Sequence, residues 1–313
     1  MPTPILEPGQ IEAAAGKIPE LRFAPADLFS SRARRLRQLA EGHTLGDYLS
    51  FMAGLAERQQ EELDQHPTIP LPDAELLTNC RDHEMPPLSP AGWHSHPHWQ
   101  EVARGLADAL YDAAPPAGRE SLFRLLAQKE SWLEAQADLL LSGQFEELDR
   151  ATAPIVGAAL QVQWTHLARQ LEPHQVARPE HPNLCPVCGT PPVASVVRIG
   201  GAENGLRYLH CALCGTEWHL VRSRCSNCDS TKGIIYFSVQ GGKDIVRAEA
   251  CPECRTYLKI VYQDKDPNVD PVADDLASMA LDLLMGEESY AKSGINYLMI
   301  YGNSEAPSLG IQS

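Results

Sequence analysis

Eight of the nine cysteines in this chain form four Cys-x-x-Cys pairs, and their spacing constrains the fold more than any other feature. The order is C-x2-C-x22-C-x2-C, then ten residues, then the same order again, so a shift of 40 residues superposes the first set on the second. Gly201 falls on Gly241 under this shift, and Arg207 falls on Arg247. The spacing therefore predicts two copies of one small module.

Each copy predicts its own four-cysteine metal site. Two residues between cysteines allow a tight turn that directs both sulfurs at one ion, and in a reducing compartment such pairs indicate metal ligands rather than disulfides. Redox-active pairs of the thioredoxin type need a βαβ unit, which this sequence lacks. A site made from cysteine pairs of different copies would require both copies to fold together. We therefore prefer the consecutive arrangement, in which the two cysteine pairs of each copy form one site. The predicted ligands are Cys185, Cys188, Cys211 and Cys214 in the first site, and Cys225, Cys228, Cys251 and Cys254 in the second.

The residue after each second cysteine distinguishes the two sites. Gly189 and Gly215 follow the pairs of the first copy, and glycine readily adopts the left-handed conformation that such a turn needs. Asp229 and Arg255 occupy these positions in the second copy, which predicts a less regular second site. A tetrahedral four-sulfur site suits zinc and iron alike, so the spacing leaves the metal open.

Strand-like runs lie around the cysteine pairs. In each copy two runs flank a glycine-rich turn and a third run follows the second pair, which is typical of a zinc ribbon or a rubredoxin-like unit. The runs are 194–199, 206–209 and 217–222 in the first copy, and 234–239, 244–248 and 256–262 in the second. Because a module of about 40 residues has too small a core to fold alone, the metal is expected to supply most of its folding energy. Replacing Cys185 and Cys188 with Ser should then release one metal ion and unfold the first module while the helical domain persists.

The N-terminal half has the periodicity of helices. Apolar residues recur at helical spacing from residue 25 onward, and further helices are predicted at 98–113, 118–142 and 146–171, the last kinked at Pro154. The fold class predicted is α+β: an all-α N-terminal domain followed by two tandem rubredoxin-like or zinc-ribbon modules and a C-terminal helix. The predicted bounds are an irregular arm at 1–24, the helical domain at 25–171, a linker at 172–184, the modules at 185–224 and 225–265, and the C-terminal helix and tail at 266–313.

Composition argues against several classes of function. The net charge of -15 is unusual for a nucleic-acid or membrane-surface protein, and the cysteine region holds ten Lys or Arg against seven Asp or Glu, which the thiolates nearly cancel. We therefore expect no nucleic-acid partner. No apolar run reaches the ~18 residues of a membrane span. The N-terminus has no secretory signal pattern, so a cytoplasmic location is expected.

The remaining candidate residues favour ordinary structural roles. Cys80 is predicted to be a buried residue of a helix, and His94, His96 and His98 to be loop residues. His210 and His219 flank the second cysteine pair and are interpreted as neighbours of the metal rather than ligands. The arginine run 32–37 is interpreted as a solvated helix face. No nucleophile motif, phosphate loop or carboxylate pair stands out, so no enzymatic activity is expected and no catalytic residue is assigned.

Three segments together resemble the FdhE family of formate dehydrogenase accessory proteins. Residues 25–59, PADLFSSRARRLRQLAEGHTLGDYLSFMAGLAERQ, are similar to the opening helices of that family. The four cysteine pairs at this spacing match its hallmark, and residues 274–294, DDLASMALDLLMGEESYAKSG, are similar to its C-terminal signature. The resemblance covers almost the whole chain, in the same order.

The resemblance implies a cytoplasmic maturation factor that binds the catalytic subunit of formate dehydrogenase before assembly or export. It also implies rubredoxin-like iron binding by the eight cysteines, so two metal ions are expected, iron in preference to zinc. Two alternatives stay open: an electron carrier that uses four-cysteine iron sites, and a zinc-ribbon module that associates with nucleic acid. The near-neutral cysteine region argues against the second.

Overall fold

The computed structural model describes residues 18–65, 67–91, 96–177, 181–239 and 244–300. Its N-terminal part is helical, and its C-terminal part contains a mixed sheet followed by two short helices. The helices are α1 (Leu28–Ala40), α2 (Gly46–Gln65), α3 (Ala74–Asp82), α4 (His98–Leu110), α5 (Pro116–Leu126), α6 (Glu130–Ser142), α7 (Ala153–Ala168), α8 (Pro271–Ala277) and α9 (Met279–Glu287). The predicted α+β class is confirmed.

The strands form one sheet that contains both copies of the repeat. They are β1 (Leu21–Arg22), β2 (Pro192–Val197), β3 (Arg207–Cys211), β4 (Glu217–His219), β5 (Ile235–Phe237), β6 (Val246–Cys251), β7 (Thr256–Tyr262) and β8 (Ala291–Lys292). Their order across the sheet is β1-β4-β3-β2-β7-β6-β5, and β8 pairs with β7 outside this path. The first copy supplies β2 to β4, and the second supplies β5 to β7.

The two copies are joined by a parallel pair of strands. Within each copy the neighbouring strands are antiparallel, as expected for hairpins. Between the copies β2 pairs with β7 in parallel, with Ser195 opposite Ile260 and Val197 opposite Tyr262. The two modules are therefore parts of one sheet and not separate units, because strands of the two copies are hydrogen-bonded to each other.

The sheet also takes in part of the predicted N-terminal arm. Leu21 pairs with Trp218 and Arg22 with Glu217, so β1 is the outermost strand beside the first copy. The local sequence has no strand periodicity because only two residues are paired. The pairing depends on a strand nearly 200 residues later, which the local pattern does not show.

Helix α7 is the centre of the helical region. Nearly every residue of this helix is buried, from Ala153 through Trp164 to Ala168, and its sequence is mostly apolar, as is typical of a helix inside a core. Pro154 lies in the first turn of α7 rather than in a kink, where its missing N–H group costs no hydrogen bond. The predicted helix at 118–142 is two helices, α5 and α6, separated at residues 127–129.

One hydrophobic core spans the helical region and the first cysteine cluster. It contains the buried Trp99 and Trp164 of the helices, Leu209 and Trp218 of the sheet, and Val272 of α8. The cysteines of the first cluster belong to this same core. The helices and the first module therefore stabilise each other directly.

Buried ion pairs connect the first helix to the C-terminal helices. The Arg35 guanidinium lies 2.6 Å from Asp274 Oδ1 and 2.8 Å from Asp266 Oδ2, and Arg32 Nε lies 3.3 Å from Asp270 Oδ1. The prediction of a solvated arginine face is thus wrong for Arg32 and Arg35, which are almost fully buried. It holds for the exposed members of the run, because α1 turns only one face toward α8. None of the helices in the described residues is long and apolar enough to cross a membrane.

The Arg35 pair yields a stability prediction. Arg35→Ala should lower the free energy of unfolding by about 3–5 kcal/mol, because it leaves the buried Asp274 carboxylate without its cation. Arg37→Ala on the same helix is the matched control. It removes a solvent-exposed pair with Glu57 and should cost about 1 kcal/mol or less. Denaturant unfolding of both variants checks the difference, and equal losses would contradict it.

Candidate metal centres

The structure brings the eight paired cysteines into two clusters of four. Cys185, Cys188, Cys211 and Cys214 form the first cluster, and Cys225, Cys228, Cys251 and Cys254 form the second. Within each cluster the sulfur atoms lie within 4.8 Å of one another. The grouping is the consecutive one that the repeat predicts, with one complete cluster in each copy.

The distances between the sulfur atoms fit tetrahedral coordination of one metal ion. In the first cluster Cys188 Sγ lies 3.4 Å from Cys211 Sγ and 3.7 Å from Cys214 Sγ. In the second, the Cys225–Cys254 and Cys228–Cys251 sulfur distances are 3.7 and 3.8 Å. In a tetrahedral site with metal–sulfur bonds of ~2.3 Å, two sulfur atoms lie ~3.8 Å apart. In a disulfide they lie ~2.05 Å apart. Both clusters can therefore hold a metal ion.

Backbone N–H groups in the turns point at the sulfurs. The amides of Leu213 and Cys214 donate to Cys211 Sγ over 3.4 Å in the first cluster. The amides of Asn227 and Cys228 donate to Cys225 Sγ over 3.3 and 3.5 Å in the second. Such donors spread the negative charge of a thiolate and strengthen because the acceptor is ionised.

A threonine beside each cluster was not identified from the sequence pattern. Thr216 Oγ1 lies 3.2 Å from Cys214 Sγ, and Thr256 Oγ1 lies 3.1 Å from Cys254 Sγ. The two threonines are related by the same shift of 40 residues as the cysteines. Comparing the two copies of the repeat at every position would therefore have identified both threonines.

The backbone after each second cysteine is left-handed in both copies. Gly189 and Gly215 have φ of 74° and 69°, and Asp229 and Arg255 have φ of 58° and 57°. At Gly215 packing adds to the constraint, because a Cβ atom there would lie 2.7 Å from Leu28 Cδ2. The second copy reaches the same turn with side chains for which that conformation is less favourable.

The first cluster is enclosed by the helical region. All four of its cysteines are buried. Leu88, in the loop after α3, donates its amide to the Val187 carbonyl over 2.9 Å. Gln161 on α7 donates to the Ala212 carbonyl over 2.7 Å. Each turn of the first cluster is thus hydrogen-bonded to the helical part of the chain.

The second cluster lies at the surface. Cys228 is exposed and Cys254 is half-buried, although Cys225 and Cys251 are buried. Burial raises the pKa of Cys254, but hydrogen bonds from Thr256 and Asn227 outweigh it and lower the pKa to about 7. The two clusters therefore share their geometry and differ in their access to solvent.

The other candidate residues lie outside both clusters. Cys80 is buried in α3, as predicted, and burial raises its pKa. His98 Nδ1 lies 2.9 Å from Glu101 Oε2 at the start of α4, not in a loop, and His96 precedes that helix; His94 lies outside the described residues. His210 is 3.0 Å from Glu217 through Nδ1, because its strand turns it away from the cysteines. His219 packs edge-on against Tyr208.

Comparisons with known proteins agree from residue 18 to residue 299. Three family models match in succession: FdhE N-terminal at residues 18–181, FdhE central domain at 184–222 and FdhE C-terminal domain at 223–299. An FdhE homolog of Pseudomonas aeruginosa is 44% identical over 95% of this chain and 98% of its own length. One from Stutzerimonas stutzeri is 42% identical over 96% of this chain and 98% of its own length.

A solved structure supports the same relationship. The crystal structure of the FdhE protein from Pseudomonas aeruginosa matches with a TM-score of 0.79 and 42% identity, over 91% of this chain and all of that one. The chain therefore belongs to the FdhE family, the family of formate dehydrogenase accessory proteins that its sequence resembles.

Replacing one cysteine pair in each copy should have unequal effects. Cys185→Ser with Cys188→Ser should remove one metal ion and lower the melting temperature of the helices, because the first cluster lies in their core. This differs from the local unfolding that the sequence alone predicts. Cys225→Ser with Cys228→Ser should remove one metal ion and leave the helical melting temperature nearly unchanged. Elemental analysis and circular dichroism at 222 nm measure both, and unchanged metal content would refute the ligand assignment.

Chelation should remove the two metal ions at different rates. The second cluster should release its ion first, because a chelator or a thiol reagent reaches the exposed Cys228 without unfolding the protein. The first ion should leave only on the time scale of unfolding of the core. A colorimetric chelator measures the two phases, and mass spectrometry after brief alkylation identifies the modified cysteine. A single phase accounting for both ions would contradict the difference in exposure.

Proposed function

We propose that this member of the FdhE family is a maturation factor that binds the catalytic subunit of formate dehydrogenase before assembly or export. The observation that carries the proposal is the match of all three family models in order, with both four-cysteine clusters intact. The proposed meeting place is the cytoplasm, where a reducing environment keeps paired cysteines available for metal.

The eight cysteines are proposed to ligate two metal ions, one in each cluster. Four sulfurs complete a tetrahedral coordination sphere and leave no open position for a substrate or a water, so hydrolysis at the metal is not part of the proposal. The metal would instead hold the turns of each module in place and supply folding energy that a small module lacks. We favour iron, with zinc as the alternative, because rubredoxin-like iron binding is what the resemblance implies.

The exposure of the second cluster favours one further candidate function, electron transfer. An iron ion held by Cys228 and its three neighbours would lie close to the surface, where a redox partner could approach. The first cluster, buried in the core, would not be accessible in that way. A protein that is red as purified and has a reversible potential would support this function. A colourless protein with two zinc ions would exclude it.

Binding to the catalytic subunit is the direct test. The full-length protein should co-purify with the catalytic subunit expressed without the other formate dehydrogenase subunits, and a deletion strain should lose most of its formate dehydrogenase activity. The variant with Cys185→Ser and Cys188→Ser is a negative control for complementation, because its core is expected to be disrupted. Normal activity in the deletion strain, together with no detectable binding, would refute the proposed function.

A further inference from the structure

The two copies of the repeat differ in the residue that precedes the second cysteine of their first pair. The 40-residue shift places Val187 of the first copy on Asn227 of the second. Val187 is completely buried, and its carbonyl accepts the Leu88 amide over 2.9 Å, so its turn is packed against the helical region. Asn227 is half-buried, and Cys228 next to it is exposed. The exposed turn therefore carries a polar side chain where the enclosed turn carries an apolar one.

Asn227 contacts one sulfur atom of each cysteine pair in its copy. Its backbone amide donates to Cys225 Sγ over 3.3 Å, and its side-chain Nδ2 donates to Cys254 Sγ over 3.7 Å. Cys225 belongs to the first pair and Cys254 to the second, so one residue joins the two turns of the second cluster. A valine side chain has no hydrogen-bond donor, so Val187 has no equivalent of the side-chain contact.

The contact of Asn227 with Cys254 suits a metal-bound thiolate. A thiolate accepts hydrogen bonds, so it attracts the amino end of the amide and repels the oxygen end. Thr256 Oγ1 lies 3.1 Å from the same sulfur and can donate to it as well. A hydrogen bond to an ionised acceptor is about twice as strong as one between neutral groups. Two side chains therefore stabilise Cys254 in its thiolate form.

The charges around the second cluster make such donors important. Four thiolates around a divalent ion retain half of their negative charge. The two carboxylates that adjoin the cysteines are already paired, Asp229 with Arg224 at 3.1 Å and Glu253 with Lys232 at 3.1 Å. The remaining charge is left to solvent and to the donors of the turns. Because water and competing ligands reach this cluster, a donor that keeps a thiolate on the ion has more effect here than in the enclosed cluster.

We propose that Asn227 is a positioning residue of the second metal site, which keeps the Cys254 thiolate on the ion and joins the two cysteine pairs. It gives the exposed turn a contact that helps to fix it, as the bond from Leu88 does for the enclosed turn. Removing a group that hydrogen-bonds to a metal ligand typically weakens metal binding about 10- to 100-fold. The inference rests on the proposed ligation of one metal ion by each cluster.

Two substitutions of Asn227 test this role in the full-length protein. Asn227→Val gives the turn the residue that the first copy has, and Val187 shows that a turn of this kind accommodates valine. Asn227→Asp keeps the size of the side chain and replaces its donor with a carboxylate oxygen. Asn79, which is exposed on α3, receives the same two changes as a matched control.

Transfer of zinc from the loaded protein to a colorimetric chelator is the first measurement. Release from the second site, assigned by alkylation of Cys228, should be at least about tenfold faster in both Asn227 variants. Release from the first site, and both releases in the Asn79 controls, should stay within about twofold of the original protein. A variant that keeps one ion and the original circular dichroism spectrum has lost the second ion outright, which also supports the inference.

Folding of the variants is checked by circular dichroism. If Asn227→Val loses the helical spectrum, Asn227→Asp decides. Loss of the helical spectrum by both would overturn the inference, because Asn227 would then support the whole fold rather than one metal site.

Cobalt(II) in place of zinc gives a second readout that a general loss of stability would not produce. A hydrogen bond lowers the energy of the sulfur lone pairs, so loss of the Asn227 donor should shift the sulfur-to-cobalt charge-transfer band of one site to longer wavelength. The Asn79 controls should keep the original bands. Faster release with unchanged bands would overturn the inference, because the residue would then act on the turn and not on the thiolate.

The remaining outcomes separate this inference from the ligand assignment on which it rests. Unchanged release of the second ion by both folded Asn227 variants would overturn the positioning role and leave the eight ligands intact. An original protein that binds fewer than two ions would overturn both the ligand assignment and the role of Asn227.

Discussion

The structure depends above all on the first four-cysteine cluster, because it lies where the helices and the sheet meet. Its sulfurs are buried in the same core as Trp164 of α7 and Trp218 of β4. Four thiols in such a place would pack as small, weakly polar side chains and would not by themselves fix the turns that carry them. A divalent ion bound by four thiolates would instead offset half of their charge and fix the geometry of two turns. Because α7 bonds to one of these turns and the loop after α3 bonds to the other, coordination at one point would stabilise the helical region and the sheet together.

The second cluster uses the same local design in a different environment. Its sulfur distances, its amide donors and its threonine repeat those of the first. It differs in exposure, because Cys228 faces solvent, and among the described residues no strand pairs with the outer edge of β5. The same repeat unit therefore occurs in two environments: one copy has its cysteines enclosed in the core, and the other has a cysteine exposed to solvent. The internal repeat accounts for what the two units share, and the packing of the helical region over the first unit accounts for the difference in exposure.

Buried charges join the two ends of the described chain. Arg35 on α1 reaches Asp274 on α8, and Lys259 on β7 lies 2.7 Å from Asp282 of α9 and 3.3 Å from Asp275 of α8. Pairs of this kind are costly to desolvate and contribute little net stability over an apolar contact of the same shape. Their value lies in specificity, since a misplaced α8 would leave several charges buried without a partner.

The sequence by itself determined the helical first part, the two cysteine clusters and their consecutive pairing. These follow from local rules: the 3.6-residue period of apolar residues, the two-residue spacing within a pair, and the 40-residue repeat. It also placed left-handed turns after each second cysteine, which φ values at Gly189 and Arg255 bear out. Thr216 and Thr256 are related by the same repeat, so the same reasoning could have identified them.

Tertiary structure decided how these parts are arranged. The pairing of β2 with β7, the capping of the sheet by Leu21 and Arg22, and the burial of Arg32 and Arg35 all join residues far apart in the chain. No local pattern encodes such contacts, because a residue's exposure depends on which element packs over it. The same reason separates the two clusters: their cysteines are spaced identically, yet the packing of the helices determines that one is enclosed and the other is exposed to solvent.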